Sequence, residues 1–129
     1  MIFNGQPMQV PFGVLLPHNG SEVTNWGKYT VQFEAPLEPL PLTPDLDAVL
    51  RYAAVFLNTS YLWGGKSVFG VDCSGYTQTL YKLAGIPLLR DAYQQATQGE
   101  GVGFLQEVQP GDWPFSTMRR AALPMWACC

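Results

Sequence analysis

Between residues 44 and 57 the apolar positions Leu46, Val49, Leu50, Ala53 and Leu57 recur at the three- and four-residue spacing of one helical face. Thr43 offers a hydroxyl cap, Pro44 suits a first turn, and Asp45 and Asp47 stand at the positive end of the dipole. The pattern therefore predicts a core-packing helix over 44–57, broken by Asn58 to Ser60. A second helical period begins after Asp72, with Tyr76, Leu80 and Leu83 on one face and Gly85 and Pro87 as its stop, so a helix of about three turns is expected to start at Cys73. Asp91 can cap a short helix ending before Gly99, residues 102–108 read as a strand, and Pro110–Gly111 read as a turn. The first 43 residues have another texture. Pro7, Pro11, Pro17, Pro36, Pro39 and Pro41 punctuate them, and MQVPFGVLL (8–16) and KYTVQFEA (28–35) read as short β segments between turns.

Bulk properties narrow the function classes. With 129 residues, 47% of them hydrophobic, the chain can bury the core of one compact domain, or of a small domain plus part of another. A formal charge of −3 and no basic cluster argue against a nucleic-acid surface. No apolar run approaches a bilayer span, and no basic, apolar and small-residue signal opens the sequence, so neither a transmembrane segment nor a signal peptide is expected in it. Cys73 stands alone and Cys128 and Cys129 are adjacent, which draws neither a disulfide framework nor a zinc-ligand spacing. No metal or cofactor is expected.

The chemistry points to residues 61–76, YLWGGKSVFGVDCSGY, where a glycine-rich loop turns into the helix that begins at Cys73. Helix starts present unpaired N–H groups and a positive dipole end, surroundings that suit an anionic sulfur. YLWGG, DCSG, the block GIPLLRDAYQQATQG (85–99) and PGD (110–112) together resemble the NlpC-type cell-wall cysteine peptidases, over roughly residues 45 to 112. That resemblance implies an α+β, papain-like peptidase domain of which the helical half is present and most of the antiparallel sheet is missing. It divides the chain into 1–43, similar to the end of a bacterial Src-homology-type β domain with a proline-rich linker; 44–112, the N-terminal part of the peptidase domain; and 113–129, a non-native tail. It implies peptidoglycan stem peptides as substrates, the amide between D-glutamate and a diamino acid as the bond cut, and the cell envelope or periplasm as the place of a full-length parent. Cys73 is then the catalytic nucleophile, and Tyr61, Asp72 and Ser74 fall where related enzymes bind the free amine of the stem peptide's first alanine. An aspartate suits an ammonium group through charge-assisted hydrogen bonds. The plainer alternatives are Asp72 as helix cap, Ser74 as a first-turn hydroxyl and Tyr61 as a buried ring with one hydrogen bond. Gly64, Gly65 and Gly70 are expected to shape the backbone, and Trp63 to be core or cleft wall.

The sequence also departs from that family. Such a peptidase uses a histidine after its nucleophile, and the only histidine is His18, upstream in turn-like LPHNGSE. Past Asp112 the chain reads WPFSTMRRAALPMWACC in place of strands, so Tyr76, Leu80 and Leu83 are expected to lack cover and the chain to pack loosely and aggregate. This tail reads as the family's next strand in the wrong frame. If one nucleotide is restored before the Trp113 codon, Trp113 with Pro114 must give alanine, Met125 with Trp126 valine, Trp126 with Ala127 glycine, and Cys128 with Cys129 leucine, while Pro124 with Met125 permits histidine. With permitted choices elsewhere the tail becomes LAFFDNAEGRITHVGML, an alternating strand followed by an HVG that resembles the family's catalytic-histidine segment. The readings that remain are a stem-peptide hydrolase lacking its histidine in this chain, a non-enzymatic wall-binding or pseudo-enzyme fragment, and, third, a related papain-like amidase or acyltransferase.

Overall fold

A computed structural model describes residues 1–115. The out-of-frame reading of 113–129 lies, beyond Phe115, outside the described residues. The chain divides into two compact units, Met1–Leu40 and Pro41–Cys129.

In the first unit the strands β1 (Ile2–Phe3), β2 (Gln6–Pro7), β3 (Val23–Trp26) and β4 (Tyr29–Gln32) form an antiparallel sheet in the order β2-β1-β4-β3. Asn4 and Gly5, both at positive φ, make the tight turn between β1 and β2, as an Asn-Gly pair between strands favours. Val31 in β4 and Phe33 just past its end are buried, and KYTVQFEA contains a strand as expected. MQVPFGVLL does not: pairing ends at Pro7, and residues 8–16 run on without a ladder.

In the second unit, α1 spans Leu46–Ala53 and a 3₁₀ turn follows at Ala54–Phe56, shorter than the expected 44–57. The cap is Asp45, not Thr43, because its side chain reaches the Ala48 N–H at 3.2 Å and also pairs with Arg51 at 2.9 Å. The buried stripe is Ala48, Val49 and Phe56, whereas Leu46, Leu50 and Leu57 are exposed. The hairpin β5 (Lys66–Ser67) and β6 (Gly70–Val71) leads into α2, Cys73–Leu83, which starts and stops where the sequence pattern places it. Gly85, at positive φ, closes it while the Ile86 N–H bonds back to the Tyr81 carbonyl.

α2 is not the half-bare amphipathic helix that the apolar spacing suggests. Ser74, Thr77, Thr79, Leu80, Tyr81 and Ala84 are all buried, so it is enclosed on several sides. Tyr76 meets Phe56 edge-on at 5.5 Å and Trp113 at 5.9 Å, and the Tyr81 hydroxyl donates to the Gly111 carbonyl. The expected loss of cover is therefore corrected for Tyr76 and Leu80: Phe56 and Trp113 pack against the tyrosine ring, and Leu80 is buried. The short helix α3, Ala92–Gln95, begins after Asp91 as expected. Residues 102–108 form no strand but a 3₁₀ turn at Leu105–Glu107, because the Glu107 carboxylate turns back to accept from the Gly103 and Phe104 N–H groups at 3.0 and 3.3 Å. Among the described residues no helix is long and apolar enough to cross a membrane.

Candidate functional site

The glycines of YLWGGKSVFG let the loop fold against the start of α2. Gly64 sits at positive φ, and a Cβ on Gly65 would overlap the Gly70 carbonyl, so only glycine at 65 lets the two backbones pass. The loop is fastened to β6 by Leu62 N–H to Val71 O and Val71 N–H to Ser60 O, both 3.1 Å, and to the cap by Asp72 N–H to Gly65 O at 3.2 Å. It delivers Asp72 in extended conformation as the N-cap of α2 and Cys73 as the first helical residue, a half-buried free thiol. The Thr77 hydroxyl donates to the Cys73 carbonyl at 3.0 Å, which fixes the backbone of the first turn.

The Asp72 carboxylate is the hub. It accepts five hydrogen bonds from the chain itself: Oδ1 from Gly75 N (2.6 Å), Arg90 Nη1 (3.2 Å) and Ser74 Oγ (3.3 Å), and Oδ2 from Gly64 N (2.8 Å) and Arg90 Nη2 (2.8 Å). Burial raises its pKa, but the bonds from Arg90, Gly75 and Gly64 outweigh burial and hold it near about 2. Asp72 remains ionised at every ordinary pH.

Of the expected site residues, Cys73, Asp72 and Ser74 come together at the helix start, and Tyr61 stands at the foot of the same loop, bridged to Val71. The capping role is realised for Asp72. Ser74 is buried, giving its hydroxyl proton to Asp72 and accepting from Arg90 Nη1 at 2.8 Å. Tyr61 is 60% exposed, not a buried ring, and Trp63 is exposed rather than core. His18 belongs to the first unit: the Gly20 N–H donates to Nδ1, so Nε2 carries the proton and donates to Ser21 O, each at 3.1 Å. Sequence reasoning missed Arg90 and Gln95. Both lie in the RDAYQQ block already singled out, but nothing in the pattern says that they reach back to residues 72 and 74.

This ion pair makes acid stability testable. Because the folded pKa of Asp72 lies below its ordinary value, its contribution is present above about pH 4 and is lost as the pH falls toward 2. The shift is equivalent to about 2 kcal/mol, reduced toward 1 because Arg90 is one-third exposed. Arg90→Met removes the strongest support for the charge, so the buried carboxylate takes up its proton at higher pH. The midpoint of acid unfolding, followed by circular dichroism, is expected to move upward; an unmoved midpoint would contradict the assignment.

The sequence pattern of the NlpC/P60 family matches residues 58–122, beginning and ending later than the stretch 45–112 outlined by the motif blocks. A gamma-D-glutamyl-L-lysine dipeptidyl-peptidase of Bacillus cereus is 41% identical over 73 residues, covering 57% of this chain and 22% of that protein. Its namesake from Bacillus subtilis is 43% identical over 67 residues, 52% of this chain and 22% of the relative. A crystal structure of an NlpC/P60 family protein from Bacillus cereus superposes with a TM-score of 0.50 at 40% identity, covering 56% of this chain and 23% of that one. The chain thus spans about a fifth of the length of these relatives. Half of its residues follow the family's pattern, DCSG and the glycine loop among them, and the chain belongs to the NlpC/P60 family.

Proposed function

We propose that Cys73 is the nucleophile of a peptidoglycan stem-peptide hydrolase that cuts the amide between D-glutamate and an L-diamino acid. The observation that carries this reading is the free, half-buried thiol at the first position of α2, behind a loop that only glycines can form, in a chain similar to enzymes named for γ-D-glutamyl-L-lysine peptides. The sulfur attacks the amide carbonyl; N–H groups at the helix start stabilise the oxyanion; the C–N bond breaks as the amine leaves with a proton; and water then hydrolyses the thioester. Of the residues proposed for substrate, Tyr61 has exposed surface to offer the peptide. Asp72 and Ser74, whose polar atoms serve the cap and Arg90, act by shaping the wall beside the sulfur.

In such an enzyme a histidine takes the proton, and no histidine follows Cys73 in these 129 residues. We infer that the parent gene supplies it in the frame that reads LAFFDNAEGRITHVGML after PGD. The test is to express the frame-restored chain and assay release of L-Ala-D-Glu from L-Ala-γ-D-Glu-L-Lys and from its diaminopimelate counterpart. Turnover that disappears in Cys73→Ala is expected. A restored chain that folds, carries the histidine and cleaves neither peptide would refute the reading. The missing histidine favours a second reading for the chain as it stands, stem-peptide binding without turnover, which calorimetry with the same peptides decides.

A further inference from the structure

Arg90 reaches back to both chain neighbours of Cys73. Nη1 donates to Ser74 Oγ at 2.8 Å and to Asp72 Oδ1 at 3.2 Å, while Nη2 donates to Asp72 Oδ2 at 2.8 Å. This two-pronged contact uses the planar fork of a guanidinium, which an ammonium cannot reproduce. The segment that carries Arg90 is held by side chains in place of a strand ladder. Gln78 Nε2 donates to Leu88 O at 2.8 Å, Gln95 Nε2 donates to Leu89 O at 2.9 Å, and the Leu89 N–H donates to Gln98 Oε1 at 2.6 Å. Gln95, 3% exposed, also donates to the Ser74 carbonyl at 2.9 Å, tying the same segment to the residue after the nucleophile. The RDAYQQ block is thus a strap fastened across the start of α2.

The strap carries a charge that matters there. Asp72 is 8% exposed and stands one residue before Cys73. Its full negative charge, left alone, would exceed the partial positive charge of a helix start, roughly half an elementary charge, and would oppose negative charge on the sulfur or on an incoming group. Arg90 cancels it through its two-pronged contact with the carboxylate.

We propose that Arg90 is a positioning residue for Cys73: it holds together the side chains of Asp72 and Ser74, the residues before and after Cys73 in the chain, and neutralises the cap carboxylate, so that the helix start accepts negative charge at the reacting centre. The proposal deepens the reading of Cys73 as nucleophile and rests on it, but its test needs no turnover.

The test is the alkylation rate of Cys73 in the full 129-residue chain, with neutral iodoacetamide and with anionic iodoacetate at one pH and low salt. The product is read on the Cys73 peptide by mass spectrometry, so that Cys128 and Cys129 do not contribute. Changes in accessibility or in the fraction of reactive sulfur scale both rates, whereas the ratio of the anionic to the neutral rate reports local charge. Arg90→Met is expected to lower that ratio about three- to ten-fold, the effect of one unit charge several ångströms away in a partly screened site. Asp72→Asn keeps a cap acceptor and removes the anion, and should raise the ratio by a similar factor. The double variant Asp72→Asn with Arg90→Met should return to within about two-fold of the wild type, and Arg90→Lys, which keeps the charge, should stay within the same range. A ratio unmoved in both single variants overturns the proposal, as does a fall in Arg90→Met that Asp72→Asn does not reverse. If Arg90→Met loses its helical circular dichroism, Asp72→Asn alone decides: a rise supports the proposal and no change overturns it. Failure of the frame-restored chain to cleave peptides, with these ratios as expected, removes the peptidase reading and leaves the role of Arg90 standing.

Discussion

The 129-residue chain is expected to release no detectable dipeptide from L-Ala-γ-D-Glu-diamino-acid peptides, even though its thiol, cap and loop are in place. A nucleophile–base pair works as a unit, and removing either partner from a comparable serine enzyme costs on the order of 10⁶-fold in turnover. His18 is the only histidine in the sequence, and both of its ring nitrogens are engaged within the turn at Ser21 and Gly20. The frame-restored chain should exceed the present one by a factor of this order under the same assay, and resequencing across the Asp112 codon should find the intact frame with a histidine codon where Pro124 and Met125 now overlap. Turnover by purified 129-residue chain that vanishes in Cys73→Ala would show that some other group serves as base, and an intact restored frame without that histidine codon would end the reading of the tail.

The parts of this molecule that were legible in the sequence are those set by local chemistry. α2 begins at Cys73 because Asp72 can accept from Gly75 N–H, and it ends at Gly85 because that residue tolerates positive φ; both causes lie within a few residues of their effects. The same holds for the cap at Asp91, and for the strand in KYTVQFEA. At 102–108 a helix-like turn stands where a strand was expected, because a local acceptor, Glu107, satisfied the backbone there. MQVPFGVLL has apolar residues but no partner strand beyond Pro7, and periodicity cannot supply one. The face of α2 was misjudged for a related reason. Small polar residues such as Thr77 and Thr79 are buried at 1% and 2% exposure, so hydrophobicity alone understated how far the helix is enclosed. Arg90 was the least legible. Its partners Asp72 and Ser74 precede it by more than a helix length of sequence, and only the strap of glutamine side chains brings them together.

Gly75→Ala should destabilise the second unit by about 1–3 kcal/mol, against the intrinsic preference of a helix for alanine over glycine by roughly 1 kcal/mol. Gly75 lies in the first turn of α2, and a Cβ there would overlap the Gly65 carbonyl oxygen, lie 2.8 Å from Asp72 Oδ1 and 3.1 Å from Lys66 Cγ. Lysine can swing away; the other two cannot. The Gly65 carbonyl is fixed by accepting the Asp72 N–H, and Asp72 Oδ1 is fixed by Gly75 N–H, Ser74 and Arg90. Any relief must therefore open the cap or push the glycine loop off the helix start, and either movement displaces Cys73. Gly99→Ala is the control, since a Cβ there meets nothing within 4 Å and a surface change of this kind falls within about 0.5 kcal/mol. Urea unfolding of the two variants separates the effects: a lower midpoint for Gly75→Ala beside an unchanged one for Gly99→Ala is the expected result. A rise at position 75 would mean that helix propensity outweighs packing and that the loop does not press on α2 as described.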